Sequence, residues 1–182
     1  PAGAVMPLEE WRYLFELSDQ YGFVIASDEC YSEIYFRDEA PLGGLQAAAL
    51  LGRTDFRNLM MFTSLSKRSN APGLRSGFVA GDAQLIKSFL LYRTYHGGAM
   101  SPMVQAGSIA AWNDEAHVID NRAQYRDKFN AVTPANKQAG FIPGIPSRRE
   151  ANGHAVVVLV SNGTGLGCGH LQHISRWSRI RE

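Results

Sequence analysis

The sequence predicts a three-layer α/β domain with a mostly parallel sheet. Three observations carry that expectation. Short apolar runs at residues 23–27, 59–63 and 77–80 have the length and continuity of strands buried on both faces. Segments with helical patterning lie between or beside these runs, the alternation that builds parallel sheets. Polar residues cluster where the runs end, and ligands bind outside the carboxyl ends of strands in open α/β sheets.

Each element follows from local chemistry. Residues 7–21 read as a helix: Pro7 suits its first turn, and Leu8, Trp11, Leu14, Phe15 and Leu17 or Ser18 recur near helical spacing. Gly22 is placed to end it as a C-terminal cap. The run Phe23-Val24-Ile25-Ala26-Ser27 then leads into Asp28-Glu29. The second run, Leu59 to Thr63, leads into Ser64-Leu65-Ser66-Lys67. The third, Gly77-Phe78-Val79-Ala80, is followed by Gly81 and by Asp82, the expected N-cap of a helix through Ile86, Phe89 and Leu90. Ser101 and Pro102 have the cap and first-turn chemistry of another helix. A longer helix is expected over about 115–132, with Asp120, Arg122, Arg126, Asp127 and Lys128 on its wet side. Trp11 and Trp112 fit helix packing.

The pattern changes near Pro134. Beyond it lie many Gly, Ser and Arg residues and one apolar run, Ala155 to Val160, without a clean order of helices and strands. The expected organisation is a cofactor-binding part at 1–114, a connecting helix at 115–133 and an atypical tail at 134–182.

Composition narrows the function. The chain of 182 residues is 45% apolar and 19% charged, ordinary globular usage. A net charge of +1 gives no reason to expect a nucleic-acid partner. Two cysteines, Cys30 and Cys168, do not make a disulfide scaffold, so a reducing, cytoplasmic setting is expected. No apolar run reaches the roughly 18 residues of a membrane helix. The start, Pro1 to Met6, has neither the basic nor the apolar region of a signal peptide and no initiator Met, and it reads as lying inside a longer protein.

The chemistry gathers at the strand ends. Asp28, Ser64 to Lys67, and Arg75 bring a carboxylate, hydroxyls, an amine and a guanidinium toward one crevice. An anionic, nitrogen-containing cofactor could use all of them. At this level each group also has a plainer role: Asp28 as a turn former, the Ser-Lys turn as a solvated loop, Tyr31 as a core aromatic, Arg75 as a surface ion-pair partner.

Three motifs then occur in order. Asp28-Glu29-Cys30-Tyr31, Ser64-Leu65-Ser66-Lys67 and Gly73-Leu74-Arg75-Ser76-Gly77 resemble D-E-x-Y, S-x-S-K and G-x-R-x-G of the fold-type I (class I/II) aminotransferases. Pro1-Ala2-Gly3 resembles the end of that family's N-P-x-G motif. The resemblance covers roughly residues 1–132 and implies the C-terminal half of a large domain that binds pyridoxal 5'-phosphate. It implies that Lys67 binds the cofactor aldehyde and later moves a proton. Asp28 pairs with the pyridine nitrogen, Tyr31 donates to the phenolate oxygen, and Ser64, Ser66 and Arg75 hold the phosphate. It also implies a homodimer with active sites at the subunit interface, and small amino and 2-oxo acids as partners. Tyr95 to Pro102 resembles the family's loop near that interface, and equally reads as a glycine-rich turn before a helix. Arg68 is expected to face solvent.

Residues Asp28–Phe36, Ser64–Asp82 and Tyr92–Pro102 are most similar to bacterial N-succinyldiaminopimelate aminotransferases. The implied reaction exchanges an amino group between N-succinyl-LL-2,6-diaminopimelate and 2-oxoglutarate in lysine biosynthesis. An aspartate- or aromatic-type aminotransferase is the alternative, and a truncated remnant without catalysis is a third reading. Residues 135–182 do not resemble the family's small domain, and Arg176, Arg179 and Arg181 lack the context of its carboxylate-binding arginine. The tail reads as a divergent small domain or a frame-shifted or misassembled end. The chain alone is therefore expected not to be an active transaminase. Two other tail features carry little. The glycines of 163–169 fit no G-x-G-x-x-G register, and Cys168, His170 and His173 leave only His154 as a fourth zinc ligand.

Overall fold

The computed structural model describes residues 5–36, 38–138 and 153–159. Helix α1 spans Leu8–Tyr21 and is followed by strand β1 (Val24–Tyr31), helix α2 (Gly44–Leu50) and strand β2 (Leu59–Ser64). Next come the one-turn helix α3 (Leu65–Arg68), a 3-10 turn at Pro72–Leu74 and strand β3 (Gly77–Gly81). Helices α4 (Ala83–His96), α5 (Pro102–Trp112) and α6 (Ala116–Gln138) follow, and then strand β4 (Gly153–Leu159). Among these residues no helix is long and apolar enough to cross a membrane. The start Pro1-Ala2-Gly3, the glycine run at 163–169 and the tail arginines, Cys168 and two tail histidines lie outside the described residues.

The sheet order is β3-β2-β1-β4. β1 and β2 are parallel, with Ile25 opposite Leu59 and Asp28 opposite Phe62. β3 runs antiparallel to β2, and β4 antiparallel to β1. The α/β class holds, but the sheet is mixed: one of its three described pairings is parallel. The reason lies in the connections. The chain crosses from β1 to β2 through α2, which returns it to the starting end of the sheet. From β2 to β3 it turns through α3 and the 3-10 turn and re-enters at the end it has just left, which makes β3 antiparallel.

The core explains the first elements. Trp11, Leu14 and Phe15 of α1 pack with Phe23 and Ile25, Ala47 and Ala48 of α2, and Leu59 of β2. Trp11 and Phe15 stack with ring centroids 5.6 Å apart. Ser18 lies on the same buried stripe because its Oγ donates to the Phe23 carbonyl at 2.7 Å, so the hydroxyl enters the core already paired. Gly22 ends α1 in the left-handed region at φ 71°. Side chains alternate across a strand, so Phe62 faces away from Leu59. It meets Phe89 of α4 edge-on at 5.9 Å, which puts helices on both faces of the sheet.

Helix α2 gets no side-chain cap from its N-cap residue, which is Gly43, although Gln46 Oε1 reaches back to accept from Gly43 N at 3.4 Å. Glu29 supplies one from β1: its Oε1 accepts from Gly44 N at 2.7 Å and from Ser27 Oγ at 2.9 Å. Asp82 caps α4 as expected, accepting from Gln84 N at 2.8 Å and Leu85 N at 3.2 Å. Its other oxygen takes Asn58 N at 2.8 Å, tying the entry to β2 to the exit from β3. Partial burial pushes the Asp82 carboxyl up, but these backbone N–H groups and the Arg57 charge outweigh it and hold the group below the usual range. Ser101 caps α5, with Pro102 in its first turn. Helix α6 begins where expected and continues through Pro134 to Gln138.

Candidate functional site

Because β1 and β2 are parallel, their carboxyl ends leave the sheet on one side. β3 enters there, with Gly77 opposite Ser64. Asp28, Tyr31, the Ser64–Lys67 turn and Arg75 are therefore delivered to the same edge by topology alone. β1 extends further than expected, so Asp28 and Tyr31 lie inside the strand rather than just past it, with an irregularity in the β1–β4 register between them.

Asp28 is exposed, and its Oδ1 accepts from Cys30 N at 3.0 Å. Cys30 stands between Asp28 and Ser64: Ser64 Oγ lies 3.5 Å from Cys30 Sγ. Burial pushes the Cys30 thiol up; Ser64 offsets part of this, and the hydrogen bond and charge of Asp28 add to it. The thiol thus lies between the Asp28 carboxylate and the Ser64 hydroxyl.

Lys67 sits half-buried on α3, with Nζ 5.4 Å from the centroid of the Tyr31 ring. That is within cation–π reach of about 6 Å. Among the described residues the amine pairs with no carboxylate. Ser66 lies beside it on α3, also half-buried. Arg75 is exposed and sits in the left-handed region at φ 51°, where its Nη1 donates to the Pro72 carbonyl at 3.0 Å. The structure thus joins Asp28 to Ser64 through Cys30, and Tyr31 to Lys67. It places Ser66 and Arg75 on the same connection, without a side-chain hydrogen bond to the other four.

The turn that presents Lys67 is anchored from beneath. Leu65 is fully buried, and its N–H donates to Ser76 O at 3.0 Å. The Ser76 and Ser108 hydroxyls meet at 2.8 Å in a buried contact, and Ser108 donates onward to Val104 O. Arg68 is not solvent-facing as expected: it is buried at 6% exposure. Successive residues on a helix point about 100° apart, so turning Lys67 to the crevice turns Arg68 inward onto α5. There Nη1 donates to Ala111 O at 2.8 Å, Nη2 pairs with Glu115, and the guanidinium lies 4.9 Å from the Trp112 ring centroid. We expect Arg68→Met to destabilise the chain by about 1–3 kcal/mol, mainly by leaving the half-buried Ala111 carbonyl without its donor. The pairing with the exposed Glu115 adds little. Arg68→Lys should recover little, since a point charge cannot make the forked, stacked contact. Urea midpoints check both expectations.

Two side chains of α6 complete the support. His117 Nε2 lies 2.8 Å from Ser69 Oγ while its Nδ1 faces Asp114 Oδ2 at 2.9 Å. The His117 hydrogen bond, followed by the Ala116 N–H, holds the Asp114 carboxyl below its ordinary range. Asn121 Nδ2 donates to the carbonyls of Lys67 at 2.9 Å and Arg68 at 3.3 Å. Cys30, Arg68, Ser69, His117 and Asn121 were not expected at the site. Only Arg68 carried a local signal, as the residue next to the lysine. No group of three or more metal-ligating side chains occurs among the described residues.

Comparisons with known proteins identify the chain's relatives. The family model described as aminotransferase class I and II matches residues 1–148. The 4-dedimethylamino-4-oxo-anhydrotetracycline transaminase OxyQ of Streptomyces rimosus is 38% identical over 141 residues, covering 78% of this chain and 38% of OxyQ. An LL-diaminopimelate aminotransferase of Aquifex aeolicus is 33% identical over 142 residues, covering 78% of this chain and 35% of that protein. The crystal structure of an aminotransferase from Neisseria meningitidis superposes with a TM-score of 0.71 at 67% identity, covering 76% of this chain and 35% of that one. The chain thus spans well under half the length of the relatives it matches.

Proposed function

We propose that this chain, which belongs to the aminotransferase class I and II family, is the lysine-bearing part of a pyridoxal-phosphate-dependent transaminase. One observation carries the reading. An amine that pairs with no carboxylate among the described residues, Lys67 Nζ, is held on a one-turn helix leaving β2, 5.4 Å from the centroid of the Tyr31 ring that ends the parallel neighbour β1.

The donor set fits the cofactor. Lys67 offers a nucleophilic amine for the aldehyde. Asp28 is exposed; its Oδ1 accepts from Cys30 N and the carboxylate also meets the Cys30 thiol, and the lone pairs left on its two oxygens retain acceptor capacity for a protonated ring nitrogen. Tyr31 supplies a phenol next to the amine. Ser64, Ser66 and Arg75 offer two hydroxyls and a fork for phosphate oxygens, with Arg75 committed only to the Pro72 carbonyl. Bound pyridoxal phosphate supplies a ring that accepts the electron pair left when an amino acid loses its α-proton. The protein's part is to hold that ring protonated through Asp28, to orient its phosphate, and to carry the proton on Lys67 Nζ from one carbon to the next.

The substrate we propose is N-succinyl-LL-2,6-diaminopimelate with 2-oxoglutarate, in lysine biosynthesis. Support comes from the motif-flanking segments and from the likeness to a protein named for a diaminopimelate. The alternative is an aspartate- or aromatic-type donor. We further propose a cytoplasmic homodimer in which residues 1–114 form part of the cofactor domain, 115–133 connect the domains, and 134–182 stand in place of the small domain. A non-catalytic remnant is the second reading.

The test is spectroscopic and enzymatic. Purified chain with added pyridoxal phosphate should gain a near-ultraviolet to yellow absorption band that borohydride abolishes. Glutamate release from 2-oxoglutarate is then compared among N-succinyl-LL-2,6-diaminopimelate, aspartate and phenylalanine. A preference for aspartate or phenylalanine moves the substrate to the alternative, and a band without turnover favours the remnant. No band at all overturns the cofactor reading.

A further inference from the structure

A helix of four residues cannot satisfy itself. The last carbonyls of any helix lack intrahelical partners, and in α3 that description covers nearly every residue. The Leu65 carbonyl is met by Ser69 N at 3.0 Å and Ala71 N at 3.3 Å as the chain turns away. The carbonyls of Lys67 and Arg68 lie at the far end of the same turn. Both are met by one side chain, Asn121, from a helix more than 50 positions later in the sequence. An amide nitrogen has two hydrogens, so Asn121 can give one to each oxygen. No carboxylate could take its place, since both partners are acceptors.

The consequence reaches the amine. Lys67 Nζ hangs from a backbone whose direction is fixed on one side by the buried Leu65 and on the other by these two carbonyls. Arg68 and Ser69 are held by the same α5–α6 corner, but through their own side chains, which make no hydrogen bond to the Lys67 carbonyl. Among the described residues, Asn121 is the side chain that hydrogen-bonds the Lys67 carbonyl. We propose that Asn121 is a positioning residue for Lys67: it fixes the carbonyl end of α3 so that the amine is presented beside Tyr31. The inference rests on the reading of Lys67 as the cofactor-binding lysine.

The test separates positioning from general stability. Purified chain is exposed to pyridoxal phosphate for short intervals, quenched with borohydride, and digested. Adduct at Lys67 is measured by mass spectrometry relative to adduct at the exposed Lys87 in the same sample. In Asn121→Ala the ratio of Lys67 to Lys87 capture should fall about five- to tenfold, the scale of one or two buried hydrogen bonds. Asn121→Asp, which sets an acceptor against two acceptors, should fall at least as far. Asn121→Gln keeps the amide donor and should recover most of the ratio. In parallel, hydrogen exchange at the Ser69 and Ala71 amides should quicken in Asn121→Ala while β1 and β2 stay protected.

An unchanged capture ratio overturns the proposal. So does loss of the fold by circular dichroism, or quickened exchange spread through β1 and β2, since either marks a general structural role. If the wild-type chain captures nothing at Lys67, the cofactor reading fails instead. The exchange at Ser69 and Ala71 then decides the positioning claim alone, with unchanged protection sinking it.

Discussion

Lys67→Ala should abolish capture of pyridoxal phosphate at this turn while leaving the fold intact. The borohydride-sensitive band should vanish, and any transfer of amino groups should fall about 1000-fold or more, the combined scale of a lost nucleophile and a lost proton carrier. Stability should change by less than about 1 kcal/mol, because the half-buried amine pairs with no carboxylate and contributes only a distant contact to Tyr31. The turn keeps its shape in the variant: Leu65 remains buried, Arg68 remains docked on α5, and the Asn121 contacts go to backbone oxygens that alanine retains. Lys67→Arg is the informative companion. It preserves the charge near Tyr31 but cannot act as a nucleophile at neutral pH, so it should lose the band as fully as alanine does. A band that persists unchanged in Lys67→Ala would show that another amine binds the cofactor.

The parts of the site that could be read from sequence are those written consecutively. Asp28 to Tyr31 and Ser64 to Lys67 follow apolar runs directly, and a strand's end carries its next residues to the sheet edge whatever the rest of the fold does. The parallel pair β1–β2 was legible less directly, from the general alternation of apolar runs with helical segments, while the helix that joins them is Gly44–Leu50. That helix itself escaped notice because its first residues are glycines and its cap, Glu29, is on another element. The direction of β3 was hidden because an apolar run has the same composition whichever way it points. Its connection also holds α3 and a 3-10 turn instead of a tight hairpin. The orientation of Arg68 was hidden because a helix of four residues is too short to show a period. Asn121 was invisible for the most general reason. A lone asparagine on the polar side of a long helix has no pattern, and its meaning comes only from which carbonyls the fold brings beneath it. Near Pro134 the change in composition was real, but it did not stop the backbone, which stays helical to Gln138.

The largest expected loss of stability comes from a residue with no side chain. Gly81→Ala should unfold the chain or destabilise it by about 3 kcal/mol or more. Gly81 ends β3 at φ 144°, a region that residues with a side chain adopt only under strain. Its surroundings are backbone. An added Cβ would stand inside the van der Waals contact of the Leu59 carbonyl oxygen, 2.9 Å from the Leu59 carbonyl carbon and 3.1 Å from Met60 Cα. None of these atoms can swing aside as a flexible side chain would. Leu59 is fully buried in the core formed by α1, α2 and β1, so moving its carbonyl means moving the middle of the sheet. The same oxygen accepts from Asp82 N at 2.8 Å, and Asp82 in turn caps α4 and holds Asn58 N. The damage would therefore spread from β2 to the start of α4. Gly77→Ala offers a contrast at the other end of β3. There too the added Cβ would press on backbone, the Thr63 carbonyl oxygen, with Ser64 Cα 3.3 Å away. Gly77, however, lies outside the left-handed region, so its variant bears the clash without the torsional strain. Thermal unfolding followed by circular dichroism should rank the chains wild type, Gly77→Ala, Gly81→Ala in falling order. Because Gly77 faces Ser64 in the register, Gly77→Ala should also slow capture at Lys67 in chain that remains folded. A Gly81→Ala chain as stable as wild type would mean that β3 does not lie against β2 at Leu59 and Met60.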